Sequence, residues 1–278
     1  MPALSTNFFV AVFELILILT GAALLWRHAL RPAARAGLTA ANSPLPRWQI
    51  PVSEFLLFAL VIIAGSLATS FLSGLIVNPL NIPADTKTII NSAAFQIGLL
   101  IGPAILPLQL GHHPFRSIVS RSTLLSGVTT FLIALPVVTL VNLAWMAILK
   151  ASGLPAEQQD LLRMFSEAQS PALLTLLIGL ATLVAPLTEE LLFRATLFRY
   201  VRTRLPRWMA LLIPGIIFAM LHVNWMNLDG LASFAPLVTL AIVFSLAYER
   251  TGRIGTAIVA HALFNLHTIL ILFTGSSE

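Results

Sequence analysis

Five side chains in the last third of the chain are of types that could do chemistry together: Glu189, Glu190, His222, His261 and Asn265, with Arg194 close by in sequence. A carboxylate beside an imidazole can activate water. The carboxylate takes a proton while the imidazole orients the water or shares the proton. A second imidazole and an amide can donate to the oxyanion that develops when water attacks an amide carbonyl. Such donors work best in a dry, low-dielectric site. Hydrolysis of a peptide bond is therefore one coherent reading. A divalent metal such as zinc, held by His222, His261 and a glutamate with metal-bound water as nucleophile, is another. Residue types alone leave both open.

Other hydrolytic chemistries fit poorly. Cysteine is absent, which removes a thiolate nucleophile and thiolate metal ligands. The Ser-Gly pairs at Ser73 and Ser126 lack a glycine two residues before the serine. The only aspartates are Asp85, Asp160 and Asp229, all between apolar runs, so an aspartyl dyad is not expected. No His-Glu-x-x-His occurs, which excludes the usual zincin helix.

The elements that must position this set are apolar helices. Of the 278 residues, 58% are hydrophobic and 10% charged, with a mean hydropathy of +0.92. Soluble domains carry about 25% charged residues, so a soluble globular enzyme is excluded and a polytopic transmembrane helical bundle is expected. The formal net charge of +5 is assigned to basic loops rather than to nucleic-acid binding. Eight apolar runs are candidate spans: Phe8 to Trp26, Phe55 to Val77, Ile89 to Leu110, Leu124 to Leu149, Ala172 to Phe198, Trp208 to Asn227, Leu231 to Tyr248 and Ile254 to Phe273. Backbone groups in lipid find partners only within such a helix. The first run lacks a basic n-region and carries Glu14, so it reads as a span and not a signal peptide.

Basic residues alternate between loops. The first holds Arg27, Arg31, Arg35 and Arg47, the third Arg116 and Arg121, the fifth Arg199, Arg202, Arg204 and Arg207, and the seventh Arg250 and Arg253. The second holds only Lys87 and the sixth none, while the fourth sets Lys150 and Arg163 beside Glu157, Asp160 and Glu167. By the positive-inside rule the odd loops are cytoplasmic and both termini lie outside. The stretch Glu157 to Phe165 is weakly amphipathic and expected at the membrane surface. Trp26, Trp48 and Trp208 flank spans and read as an interfacial belt, with Trp225 in the opposite one.

Charges at membrane depth are expensive and usually have a role. Measured from the nearest basic loop residue, Glu189 lies about 15 Å in, His222 about 22 Å, and His261 and Asn265 about 12 and 18 Å. All fall within a hydrocarbon core about 30 Å thick. Glu190 and Arg194 are four apart and can pair, as can His261 and Asn265 share a face. Glu189 is turned by about 100° from Glu190. Outside this set, Glu14 is expected to pair within the bundle, Glu54 to snorkel, and His267 to pack. His112 and His113 read as surface residues.

Three segments carry a family resemblance. Glu189-Glu190-Leu191-Leu192-Phe193-Arg194 resembles the Glu-Glu-x-x-x-Arg motif of the CPBP family, which includes the type II CAAX prenyl proteases and the Abi proteins. Phe218-Ala219-Met220-Leu221-His222 is similar to its Phe-x-x-x-His motif, and His261-Ala262-Leu263-Phe264-Asn265 to its His-x-x-x-Asn motif. They occur in the family's order, over roughly Leu173 to Phe273. The resemblance implies an intramembrane endopeptidase in which Glu189 is the general base, His222 works with it, His261 and Asn265 complete the site, and Glu190 and Arg194 form a supporting pair. The family has been described both as metal-dependent and as glutamate-dependent, and Glu-activated water is the preferred chemistry here. Residues 1–170 are then a variable region of four spans with an outer loop, and 171–278 the catalytic core of four spans. The expected partners are the lipid bilayer and a protein or peptide substrate, CAAX-type processing of a lipidated protein being one form. The short loops resemble bacterial members, which points to the plasma membrane. A non-enzymatic binder of the same fold, with an immunity or scaffold role, is the alternative. A transporter is disfavoured by the lack of repeat halves.

Overall fold

The computed structural model describes residues 6–36, 44–45, 48–101, 120–155, 165 and 170–275, and among them it is helical apart from turns and one isolated bridge. Helix α1 (Thr6–Leu25) runs into a π turn (Trp26–Leu30), followed by a short α2 (Pro32–Ala36). Then come α3 (Val52–Val77), α4 (Ala84–Leu99) and α5 (Arg121–Ala151). The interrupted helix α6 runs over Pro171–Arg202, and α7 covers Arg207–Met220. The last two are α8 (Phe234–Thr251) and α9 (Ile254–Gly275). Local chemistry sets the boundaries. The Ser120 side chain accepts from the Thr123 N–H at the start of α5. Pro51, Pro83 and Pro206 stand just before α3, α4 and α7, where a missing N–H costs nothing. Gly252, at φ +66°, ends α8 in the left-handed conformation.

Six helices among the described residues are long and apolar enough to cross a membrane, and they carry the first, second, fourth, fifth, seventh and eighth expected spans. The third run is helical only over α4, and its second half lies outside the described residues. The sixth differs from expectation. Its helix stops at Met220, and residues 221–230 form a loop closed by an Asn224–Asp229 bridge. The reason is local competition for backbone groups. Asn224 Oδ1 accepts from the Met226 N–H and Asn227 Oδ1 from the Asp229 N–H, while Leu228 takes a positive φ of 63°. His222 therefore sits in a turn and not on a spanning helix. Arg47, His112, His113, Arg116, Glu157, Asp160, Arg163 and Glu167 lie outside the described residues, as does all but Phe165 of the expected amphipathic stretch.

Helix α5 is the hub: α1, α8 and α9 all pack on it, while α3 packs on α4, α4 and α9 on α6, and α7 on α8. Burial rises along the chain, from 6% of the α1 window to 33% of the segment containing α8, so the core belongs to the C-terminal helices. Small residues permit close approach, as expected where lipid gives no hydrophobic drive. At Gly21 a Cβ would lie 1.9 Å from the Leu132 carbonyl oxygen of α5.

The expected basic loops do gather at one end. Glu249 at the end of α8 pairs with Arg202 of α6 and Arg207 of α7, both at 2.7 Å. Arg250 donates to the His28 carbonyl, Arg204 to the Trp48 carbonyl, and Ser126 and Thr256 bond across the starts of α5 and α9. At the opposite end, the Trp145 indole donates to the Leu231 carbonyl. Trp26 and Trp208 are exposed as expected, but Trp48 is buried in an aromatic cluster with Phe55, Phe58 and Tyr200. Glu14 does find a partner: its carboxylate meets His267 Nε2 at 2.8 Å, so His267 does more than pack.

Candidate active site

The two glutamates sit on a short α turn, Ala185–Glu190, bracketed within α6 by π-helical segments Leu180–Val184 and Leu191–Phe198. Such segments recur at functional sites because they break the regular ladder. In the first, the Ala185 N–H donates to the Leu180 carbonyl, five residues back. Asn265 Nδ2 on α9 donates to the neighbouring Ala181 carbonyl at 2.8 Å. Beside the glutamates, the Thr188 hydroxyl bonds Gln96 of α4, tying this turn to the N-terminal half.

Glu190 and Arg194 are both fully buried and pair at 2.9 Å, one helical turn apart. The Glu190 carboxylate also accepts from His261 Nδ1 at 2.8 Å. Paired to a guanidinium, Glu190 is an acceptor only, so His261 Nδ1 donates, and in the neutral imidazole Nε2 then carries the lone pair. That Nε2 faces Glu189 Oε2 at 3.8 Å. The His222 ring is fixed in the same sense. Its Nδ1 lies 2.7 Å from the Phe218 carbonyl oxygen, which can only accept, and Nε2 is again the free nitrogen.

Arg194 Nη2 has no hydrogen-bond partner among the described residues. Aromatic faces stand in: its guanidinium carbon lies 4.9 Å from the Phe218 ring centre and 5.6 Å from that of Phe244. Phe244 also packs 5.5 Å from the His261 ring.

One cavity of about 190 Å³ is lined by Glu189, His222, His261 and Asn265, with Ala181, Ala185, Leu240 and Phe244 among its apolar walls. The four side chains expected to meet therefore do so. Glu190 and Arg194 stand behind His261 and do not line the cavity, and His267 lies elsewhere, against Glu14. Phe244, Ala181 and Gln96 carry no sequence signal. Their placement follows from the packing of α8, α6 and α4.

Two imidazoles with free Nε2 atoms and a carboxylate are chemically suited to zinc, and each imidazole has the hydrogen-bonded Nδ1 usual for a metal ligand. Their spacing is not. Among the described residues no group of three or more His, Cys, Asp or Glu side chains is placed to hold one ion.

Residues 171–267 match a family described as "Type II CAAX prenyl endopeptidase Rce1-like". An Escherichia coli protein described as "Uncharacterized 24.3 kDa protein" is 30% identical over 114 residues, covering 40% of this chain and 50% of that protein. The chain thus spans about half the length of this curated relative. No solved structure matches the chain.

Proposed function

We propose that the protein is an intramembrane endopeptidase that hydrolyses a peptide bond with water activated by Glu189. One observation carries this reading: Glu189 Oε2 and His261 Nε2 face each other at 3.8 Å on the wall of one cavity, and with the imidazole neutral and its proton on Nδ1 both are acceptors. Two acceptors repel unless something donates to both, and a water molecule has two O–H groups to give. Water held in this way has its own lone pairs turned toward the cavity. On attack at an amide carbonyl, Glu189 takes one water proton and the water oxygen bonds the carbonyl carbon. Asn265, with a second Nδ2–H beyond the one given to Ala181, can donate to the oxyanion. The C–N bond then breaks, and the proton returns from Glu189 to the leaving amine. His222, which also lines the cavity, is a second imidazole that can share the proton.

The match of residues 171–267 to a CAAX prenyl endopeptidase family supports a lipidated or membrane-embedded protein as substrate, with CAAX-type processing as its form. We place the protein in the plasma membrane with eight passes, both termini outside, and residues 171–278 as the catalytic core. The test is hydrolysis of a quenched-fluorescent prenylated Cys-a-a-X peptide, and of a quenched apolar transmembrane peptide, by the purified protein in nanodiscs. Wild type should cleave at least one of them, and Glu189→Gln should not while inserting and melting as wild type. Cleavage of neither peptide by wild type, or undiminished cleavage by Glu189→Gln, overturns the reading.

A further inference from the structure

We infer that Pro186 is a positioning residue: by withholding an N–H it leaves the Ala181 carbonyl open for Asn265. This rests on the hydrolytic reading above. In the π segment the Ala185 N–H bonds Leu180, five residues back, so Ala181 loses the partner that an α ladder would give it. Continuing that register one residue on, residue 186 would bond Ala181. Residue 186 is a proline, buried, and has no N–H. The Ala181 carbonyl is thus orphaned twice over within its own helix, and a buried carbonyl without a partner is costly. Asn265 Nδ2, on α9, supplies the missing donor at 2.8 Å.

That single bond fixes the amide plane of Asn265. With one Nδ2–H committed to Ala181, the second N–H and Oδ1 have set directions, and Asn265 lines the cavity beside Glu189 and His261. An alanine at 186 would close the ladder and draw the Ala181 oxygen toward the helix axis, away from α9. A proline inside a helix destabilises it on its own account, so this position trades helix stability for placement of a side chain on another helix. The prediction has an unusual sign: Pro186→Ala should melt no lower than wild type and yet work worse.

The experiment measures kcat, KM and the thermal midpoint of Pro186→Ala and Pro186→Val in nanodiscs, with the cleaved peptide from the assay above. Both variants should lose on the order of tenfold or more in kcat, as a small misplacement of a reacting group does. KM should hold within about twofold, and the midpoint should be unchanged or raised. In an Asn265→Ala background the proline substitution should cost nothing further. The side-chain amide resonances of isotope-labelled Asn265 should shift in Pro186→Ala, a readout independent of turnover. Wild-type kcat in both variants, a further loss in the Asn265→Ala background, or lost activity with a lowered midpoint each overturns the inference. Glu189→Gln separates the two levels: if it is inactive and Pro186→Ala is fully active, the role of Pro186 falls and the hydrolytic reading stands.

Discussion

Replacing Glu190 by Leu, Arg194 by Met, and both together should separate the folding role of their pair from its chemical role. Each partner is fully buried, and the pair distance is 2.9 Å. Removing one partner strands a charge in a dry interior, which costs about 3–5 kcal/mol. Arg194→Met leaves the Glu190 carboxylate with the His261 Nδ1–H, and Glu190→Leu leaves a guanidinium beside the rings of Phe218 and Phe244 and the more distant Glu189 carboxylate. Removing both should be close to neutral, because well-packed apolar side chains replace a buried ion pair at little net cost. Thermal unfolding in nanodiscs should therefore show two unstable single variants and a double variant near wild type. Hydrolysis should not recover in the double variant. Without Glu190, His261 no longer has its Nδ1 proton fixed, and Nε2 is no longer held as the acceptor facing Glu189. A misassigned proton in general acid–base catalysis costs on the order of 10²–10⁴ in rate. A double variant that hydrolyses at the wild-type rate would show that the pair is structural only. Single variants as stable as wild type would refute the burial argument from which the magnitude comes.

Gly21→Ala should lower stability by about 1–3 kcal/mol, the usual cost of overpacking, because its Cβ would meet the Leu132 carbonyl oxygen at 1.9 Å. On an unpacked helix the same change would stabilise, so the sign in thermal unfolding tests the contact, and kcat of the folded fraction should be unchanged. Chelation with EDTA should leave peptide hydrolysis intact, since no three ligands gather among the described residues. Loss of activity on chelation, restored by zinc, would refute water activation by Glu189 alone.

Much of the site was legible because the cost of burying polar groups in lipid makes each one conspicuous. Glu189, Glu190, Arg194, His261 and Asn265 stand out against apolar runs, and their helical spacing predicts the Glu190–Arg194 pair found in the structure. The alternation of arginines predicts which loops share an end, and contacts of Arg202, Arg204, Arg207 and Arg250 bear this out. What was not legible depends on choices hydropathy does not encode. The Trp208 to Asn227 run is apolar enough to read as one helix, yet the Asn224 and Asn227 side chains take backbone partners in a loop, and the helix ends at Met220. Trp48 carries the composition of an interfacial residue and is buried, because it packs against Phe55 and against Tyr200, a partner far away in the sequence. The π register of α6 is likewise invisible to a periodicity of 3.6, with Pro186 as its only trace.

The displaced His222 also bears on a question that the proposed hydrolysis raises, which is how water and an apolar substrate would reach the same bond inside lipid. Had His222 stood on a continuous helix, the cavity would have been walled by spanning segments alone. Instead it is placed by a polar turn that begins where α7 ends, on the side of the bundle where Trp145 meets Leu231. Glu189 and His261 approach the same cavity from within α6 and α9. The cavity is thus bounded by the polar side chains of Glu189, His222, His261 and Asn265 and by apolar walls such as Leu237, Leu240, Phe264 and Ile269. Water has polar partners along the first boundary, and an apolar chain finds dispersion contacts along the second. Glu189 and His261 set acceptors for water beside space for a peptide, and the hydrolysis proposed above would take place where the two boundaries meet.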